Sequence, residues 1–240
     1  MQKDALVETL LKGDISVDAQ FLSGSNYTFL GKLTYREEEF QVVYKPVRGE
    51  QPLWDFAPGS LAHREVAAYV LSEGLGWNLV PPTVYRRKAP AGPGSLQLYI
   101  EHDPNYHYFN FEDEDRQRLR PAALFDLISN NADRKGGHIL KDADGQLWLI
   151  DQGLCFHTDD KLRTVIWDFG GEMIPPALIA DLLRLDELLS PSGGELRVAL
   201  ELHIRPGEVS SLAARARRLV EMGCFPQPPS SRRSYPWPPV

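Results

Sequence analysis

Apolar and polar positions alternate along the first third of the chain, the spacing of half-buried strands. Residues 17–22 and 27–35 form two such runs, separated by the polar break Ser23-Gly24-Ser25-Asn26. Residues 40–45 form a third after the acidic turn 36–39, and Phe, Tyr, Val and Leu dominate all three, as strands favour. Residues 5–11 make a short amphipathic lead-in. The period then changes. Ala62, Val66, Tyr69 and Val70 recur at helical spacing, with Ser60 as candidate N-cap and Gly74 and Gly76 closing the helix. Residues 83–88 are extended again, 89–95 are a flexible connection, and 96–102 form a second clear strand.

Beyond that point the pattern becomes helical. An acidic, aromatic connector spans 103–120, and Pro121 opens a helix through Ile128 at a position where proline is tolerated. Residues 139–151 read as a hairpin turning at Asp144-Gly145. Residues 176–189 and 206–223 carry apolar positions at i, i+3 and i+4, and the proline-rich stretch 227–240 reads as extended or disordered. The organisation expected is a strand-rich N-terminal lobe over 1–102, a mainly helical C-terminal lobe over 103–226, and a tail over 227–240.

Composition changes this picture little. With 240 residues, 42% of them hydrophobic and 25% charged, the chain can bury a substantial core. A net charge of -7 gives no reason to expect nucleic acid as the main partner. The two cysteines, Cys155 and Cys224, exclude a disulfide framework and a cysteine-built zinc site. No apolar run approaches the ~18 residues of a membrane span, so no integral membrane association and a cytoplasmic location are expected.

Candidate chemistry lies at the hairpin. If Asp144-Gly145 form a two-residue turn, Ile139 faces Ile150 and His138 faces Asp151, with Cβ atoms ~4.5–5.5 Å apart. Asp133 lies one glycine loop upstream, so two carboxylates and an imidazole would cluster where a cation or a proton could be handled. The same residues would serve equally as a hydrogen-bonded strand end and a surface turn.

Four segments, taken in order, carry a resemblance. NADRKGGHIL, LWLIDQG, VVYKP and HREVAAY resemble the catalytic loop, the metal-binding Asp-x-Gly segment, the lysine strand and the glutamate helix of the phosphatidylinositol 3-/4-kinase-like branch of the protein-kinase-like fold, its short bacterial members included. The likeness runs from about residue 17 to 154. It implies an α+β, two-lobed, protein-kinase-like fold with ATP and Mg²⁺ or Mn²⁺ between the lobes. It also implies transfer of the γ-phosphoryl group to an unidentified hydroxyl.

In that reading Lys45 contacts the α/β-phosphates and Glu65 holds it. Ser23, Gly24, Ser25 and Asn26 cover the phosphates, and Tyr99, Ile100, Glu101 and His102 form the adenine-side hinge. Asp133 orients or deprotonates the acceptor, and Asp151 and His138 bind the metal. His138 stands where the family commonly has asparagine, and Gln152 where the Asp-x-Gly string usually has phenylalanine. Mg²⁺ prefers oxygen ligands, so an imidazole there suits Mn²⁺ better. Two competing functions follow: a nucleotide-binding pseudokinase or scaffold, with the proline-rich tail contacting a protein partner, and an AMP transferase. The segment 155–172 sets Lys161 and Arg163 against Asp159, Asp160, Asp168 and Glu172, which favours a protein Ser/Thr or small-molecule hydroxyl over a phosphoinositide. Asp168-Phe169-Gly170 repeats the kinase string literally, but no hairpin returns it to Asp133. Asp126 sits in the helix leading into the catalytic loop, where it would brace that loop by hydrogen bonds. His63, His102, His107 and His157 read as surface or loop histidines, and Arg215, Arg217 and Arg218 as a solvated helix face.

Overall fold

The computed structural model describes residues 3–21 and 26–240. Helix α1 (Lys3–Lys12) leads into β1 (Asp14–Phe21), β2 (Thr28–Tyr35) and β3 (Glu38–Pro46). Helix α2 (Leu61–Leu75), β4 (Thr83–Arg86) and β5 (Gly94–Leu98) complete the N-terminal lobe. The five strands form one antiparallel sheet in the order β1-β2-β3-β5-β4. The second lobe contains α3 (Asp113–Gln117), α4 (Arg120–Ser129), the β6 (Ile139–Lys141)–β7 (Leu147–Leu149) hairpin, α5 (Pro176–Leu188), α6 (Glu195–Glu201) and α7 (Pro206–Met222).

Two apolar cores hold this arrangement. Leu33, Val42, Tyr44, Val84 and Leu96 line one face of the sheet and pack with Leu10 of α1. The larger core joins Ala67, Leu71 and Leu75 of α2 to Leu124 and Phe125 of α4, Leu182 and Leu185 of α5, and Leu212 of α7. Each such large side chain, fully buried, stabilises by roughly 1.5–3 kcal/mol. Because α2 belongs to the lower core while β3 and β5 belong to the sheet, the site between them is held from both lobes.

Several expectations are corrected. The acidic turn shrinks to Arg36 and Glu37, whose φ values of 50° and 70° make a tight hairpin turn, while Glu39 sits in β3 and pairs with Lys32 at 2.9 Å. Ser60 does not cap α2: its backbone is already helical (φ -94°, ψ -14°), and Glu50 Oε1 instead accepts from the Ala62 N–H at 3.0 Å. Helix α2 runs through Gly74 and closes at Gly76. The strand expected over 96–102 ends at Leu98, and residues 99–102 leave the sheet after Tyr99 N–H bonds Gln41 O at 3.0 Å. Helix α3 went unseen because DEDRQ has no apolar period. Its Asp115 is fixed instead by Lys141 at 2.7 Å, Arg118 at 3.0 Å and the Tyr106 hydroxyl at 2.7 Å. Helix α6, at seven residues, is too short to show a helical period.

Arg215 is not solvated. It lies partly buried against α4, its Nε donating to Ile128 O at 2.7 Å. His63 is half-buried in α2, stacking on Tyr85 with ring centroids 4.0 Å apart, while His157 lies in a loop as expected, half-buried with Nε2 3.0 Å from Asp55 O. The proline-rich tail is extended and docked on the lower lobe, with Ser234 buried and its carbonyl accepting from Thr164 N–H at 3.1 Å. Among the described residues, no helix is long and apolar enough to cross a membrane.

Candidate active site

Lys45 lies near the end of β3, paired with Ser95 of β5, and its side chain extends into the cleft between the lobes. Its ammonium is held by Glu65 Oε1 and by Asp151 Oδ1, the latter at 2.9 Å. Burial alone would push the Lys45 pKa down, but Asp151 and Glu65 outweigh it and hold the group firmly protonated. Lys45 in turn drives the Asp151 carboxyl well below the ordinary carboxylate range. Glu65 does a second job: its Oε2 accepts from the Gln152 N–H at 2.9 Å, tying α2 to the residue after Asp151.

The hairpin arithmetic is off by one. Ile139 pairs with Leu149, Leu140 with Trp148 and Lys141 with Leu147, so His138 falls opposite Ile150 rather than Asp151. The cause is the turn. The Asp142 carboxylate accepts from the N–H groups of Asp144 (3.0 Å) and Gln146 (2.8 Å), and Gly145 at φ 79° supplies an extra left-handed residue. His138 and Asp151 meet all the same, with Nε2 and Oδ2 3.4 Å apart. His138 closes a 3-10 turn (Gly136–His138), and Asp151 adopts φ 60°, which swings its carboxylate off the strand.

Asp133 is fixed from behind by Asn131, whose Oδ1 accepts its N–H at 2.9 Å, and Lys135 Nζ lies 3.5 Å from its Oδ2. Burial, more than the neighbouring Asp151, raises its pKa above the usual aspartate value. Beneath the loop, Arg134 is fully buried. Its Nε bonds both Asp126 oxygens at 3.1 and 3.2 Å, Nη1 bonds Ile150 O at 2.8 Å, and Nη2 bonds Gln152 Oε1 at 2.9 Å. Thr164 adds a bond to Asp126 Oδ2 at 2.9 Å. The polar Gln152 therefore joins the loop carrying Asp133 to the Asp151 segment where an apolar residue could only pack. His138 is mostly buried, and burial drops its pKa to about 4, so the imidazole is neutral at neutral pH.

A cleft of ≈ 500 Å³ gathers Asn26, Lys45, Glu65, Tyr99, Ile100, His102, Asp133, His138 and Asp151. Glu101 is exposed and does not line it, and Ser23, Gly24 and Ser25 lie outside the described residues. Asn26 also has a local task, accepting from Gln51 N–H at 2.7 Å. Sequence reasoning missed Lys135 and the apolar lining of Val43, Leu140 and Ile150. The adjacent Asp-Arg-Lys run is the one signal that marked Lys135. It also left Asn130 and Asn131 without roles: Asn130 Nδ2 bonds the carbonyls of His157 (2.9 Å) and Asp159 (2.7 Å). Asp168 stands apart, bonded to the Tyr108 hydroxyl at 2.6 Å and 3.6 Å from Arg116.

Among the described residues no three metal-ligating side chains converge. Asp151 offers a half-exposed carboxylate, which suits a cation that takes most of its ligands from phosphates and water. His138 fits less well. Its Nδ1 faces the Lys135 N–H at 3.5 Å, the arrangement of an accepting nitrogen, which leaves Nε2 protonated toward Asp151.

No family profile matches the chain. Protein Rv2133c of Mycobacterium tuberculosis (strain ATCC 25618 / H37Rv) is 39% identical over 264 aligned residues, covering 95% of this chain and 93% of that protein. Phosphatidylinositol 4-kinase gamma 4 of Oryza sativa subsp. japonica is 30% identical over 149 residues, covering 53% of this chain and 26% of that protein. The solved structure of hydra Fam20 with sugar superposes with a TM-score of 0.57 at 16% identity, covering 90% of this chain and 87% of that one. The α+β, two-lobed fold is thus protein-kinase-like, and the chain belongs to the same family as Protein Rv2133c of Mycobacterium tuberculosis.

Proposed function

We propose that this protein is a phosphotransferase that moves the γ-phosphoryl group of ATP to a hydroxyl. The observation that carries the reading is the Lys45 ammonium held between Glu65 and Asp151, in a cleft that also contains Asp133. The partial likeness to a phosphatidylinositol 4-kinase supports it. Phosphoryl transfer needs chiefly positioning and neutralisation of charge, and this cleft is built for both.

Val43, Leu140 and Ile150 would sandwich the adenine, with residues 99–102 offering backbone groups at its edge. Lys45 would neutralise the α/β-phosphates, held extended by Glu65. Lys135 would meet the transferring group beside Asp133. Asp133, its basicity raised by burial, would accept the acceptor's hydroxyl proton as the oxygen attacks the γ-phosphorus and the bond to ADP breaks. Asp151 would hold Mg²⁺ or Mn²⁺, which when bound offsets charge on the phosphates. His138 would orient Asp151 through Nε2–H rather than bind the metal.

A phosphoinositide acceptor is not favoured. Lys161 and Arg163 are spent internally, on Asp55 at 3.2 Å and on Ala132 O at 2.7 Å. A second reading, a nucleotide-binding protein with little turnover, draws on the neutral, amide-facing His138. Intact-mass measurement after incubation with ATP and Mg²⁺ or Mn²⁺ tests both. A phosphate-sized gain supports phosphotransfer, and nucleotide-dependent thermal stabilisation without any gain supports the second reading. An AMP-sized gain replaces both with nucleotidyl transfer.

A further inference from the structure

Three stretches of backbone run side by side next to Asp133. Arg134 N–H donates to Arg163 O at 3.0 Å, and Val165 N–H donates back to Arg134 O at 3.1 Å, bridging the catalytic loop to the following segment. On the far side, Ser234 O accepts from Thr164 N–H at 3.1 Å and from the Trp167 indole at 3.2 Å. The tail then returns to the loop itself: Pro239 O accepts from the Gly136 N–H at 2.8 Å.

The tail is anchored as well as draped. Arg232 bonds both oxygens of Asp160, at 2.6 and 3.2 Å, and Ser234 and Pro236 are buried. Gly136 itself packs under the Phe109 ring, which a Cβ would meet at 2.7 Å, while the tail's Pro239 O would lie 3.5 Å from that Cβ, an ordinary contact. None of the residues lining the nucleotide cleft follows Leu154. The tail therefore touches the loop carrying Asp133 without touching the cleft that would hold ATP.

We infer that residues 228–240 are a positioning strap of the active site, a built-in part of the centre that fixes the catalytic loop on its acceptor side. For its effect on turnover this rests on the phosphotransfer reading; the restraint on the loop does not. Proline-rich sequence here serves an internal contact. Proline fits an extended segment that offers carbonyls as acceptors and has few N–H groups to satisfy.

The test compares the full chain with two full-length variants, Ser234→Ala and the double variant Arg232→Ala/Ser234→Trp. The first keeps the backbone acceptor, and the second removes the anchor and overfills a buried site. Amide exchange over residues 130–138 is read by mass spectrometry, alongside thermal stabilisation by ATP and Mn²⁺ and the rate of ATP consumption. In the double variant, exchange is expected to speed up by about tenfold and ATP consumption to fall by about tenfold, the worth of roughly one lost backbone bond, with stabilisation by nucleotide unchanged. Ser234→Ala, which keeps the backbone acceptor but loses the hydroxyl's bonds to Pro229 O at 2.8 Å and Arg232 O at 3.2 Å, is expected to fall between the full chain and the double variant in exchange and ATP consumption. Unchanged exchange in the double variant overturns the strap, as does faster exchange with unaltered ATP consumption. If the full chain itself consumes no ATP, the phosphotransfer reading fails, and the exchange rates still decide whether the tail restrains the loop.

Discussion

Glu65 links two parts of the cleft: one carboxylate oxygen takes the Lys45 ammonium and the other takes the Gln152 N–H at 2.9 Å. Its side chain is 4% exposed, so neither bond is easily replaced by water. Glu65→Ala is expected to lose about 2–3 kcal/mol in urea denaturation, because a cation and an N–H donor are stranded together. Glu65→Gln keeps an acceptor for Gln152 and is expected to lose less, while still weakening stabilisation by nucleotide.

The two aspartates that each begin an Asp-x-Gly string, Asp151 and Asp168, should separate cleanly. Asp151→Asn is expected to abolish the metal-dependent part of thermal stabilisation by ATP. Asp168→Asn, far from the cleft and bonded to Tyr108, is expected to leave it intact. An effect of the second substitution alone would place the metal site in the wrong segment.

His138 gives a pH dependence with a definite sign. Its folded pKa of about 4 lies below the ordinary 6.5, so the unfolded chain binds more protons between those values. Its contribution is therefore fully present above pH 6.5 and is lost as pH falls towards 4, by at most about 3 kcal/mol. His138→Gln should flatten that part of the stability curve. His63 and His203, whose pKa values are also lowered by burial, keep a residual slope of the same sign. Chemical denaturation from pH 4 to 8 reads the difference.

Arg134 and Asp126, both fully buried, form an ion pair beneath the loop carrying Asp133. Arg134→Lys keeps the charge but loses the planar fork that reaches Asp126, Ile150 and Gln152 together. A loss of about 3 kcal/mol is expected in urea denaturation.

Much of this was legible from residue order. Strand and helix periods were readable for β2, β3, α5 and α7 because each buries one face, whereas α2, buried nearly all round, was readable from its apolar spacing and its closing glycine. The brace by Asp126 followed from its place in the helix entering the loop. The hairpin register did not, because it was set by a side chain: Asp142 caps the turn, and no alternation of apolar residues reports that. The convergence of His138 with Asp151 did follow, though by another route: a left-handed aspartate and a 3-10 turn deliver it, not a cross-strand pair. Arg215 and His63 were misjudged, and the docking of the tail missed, for one shared reason. Polar or proline-rich composition says what a segment can bear in water, and tertiary contacts decided otherwise.

The most direct measurement is ATP consumption by the wild-type chain and by Asp133→Asn, with nucleotide binding followed in the same samples. Both are expected to bind ATP with Mg²⁺ or Mn²⁺, and only the wild type to release ADP, the variant falling by about a hundredfold or more. Equal consumption by the two, or a wild-type chain that ATP neither stabilises nor labels, would contradict the phosphotransfer reading.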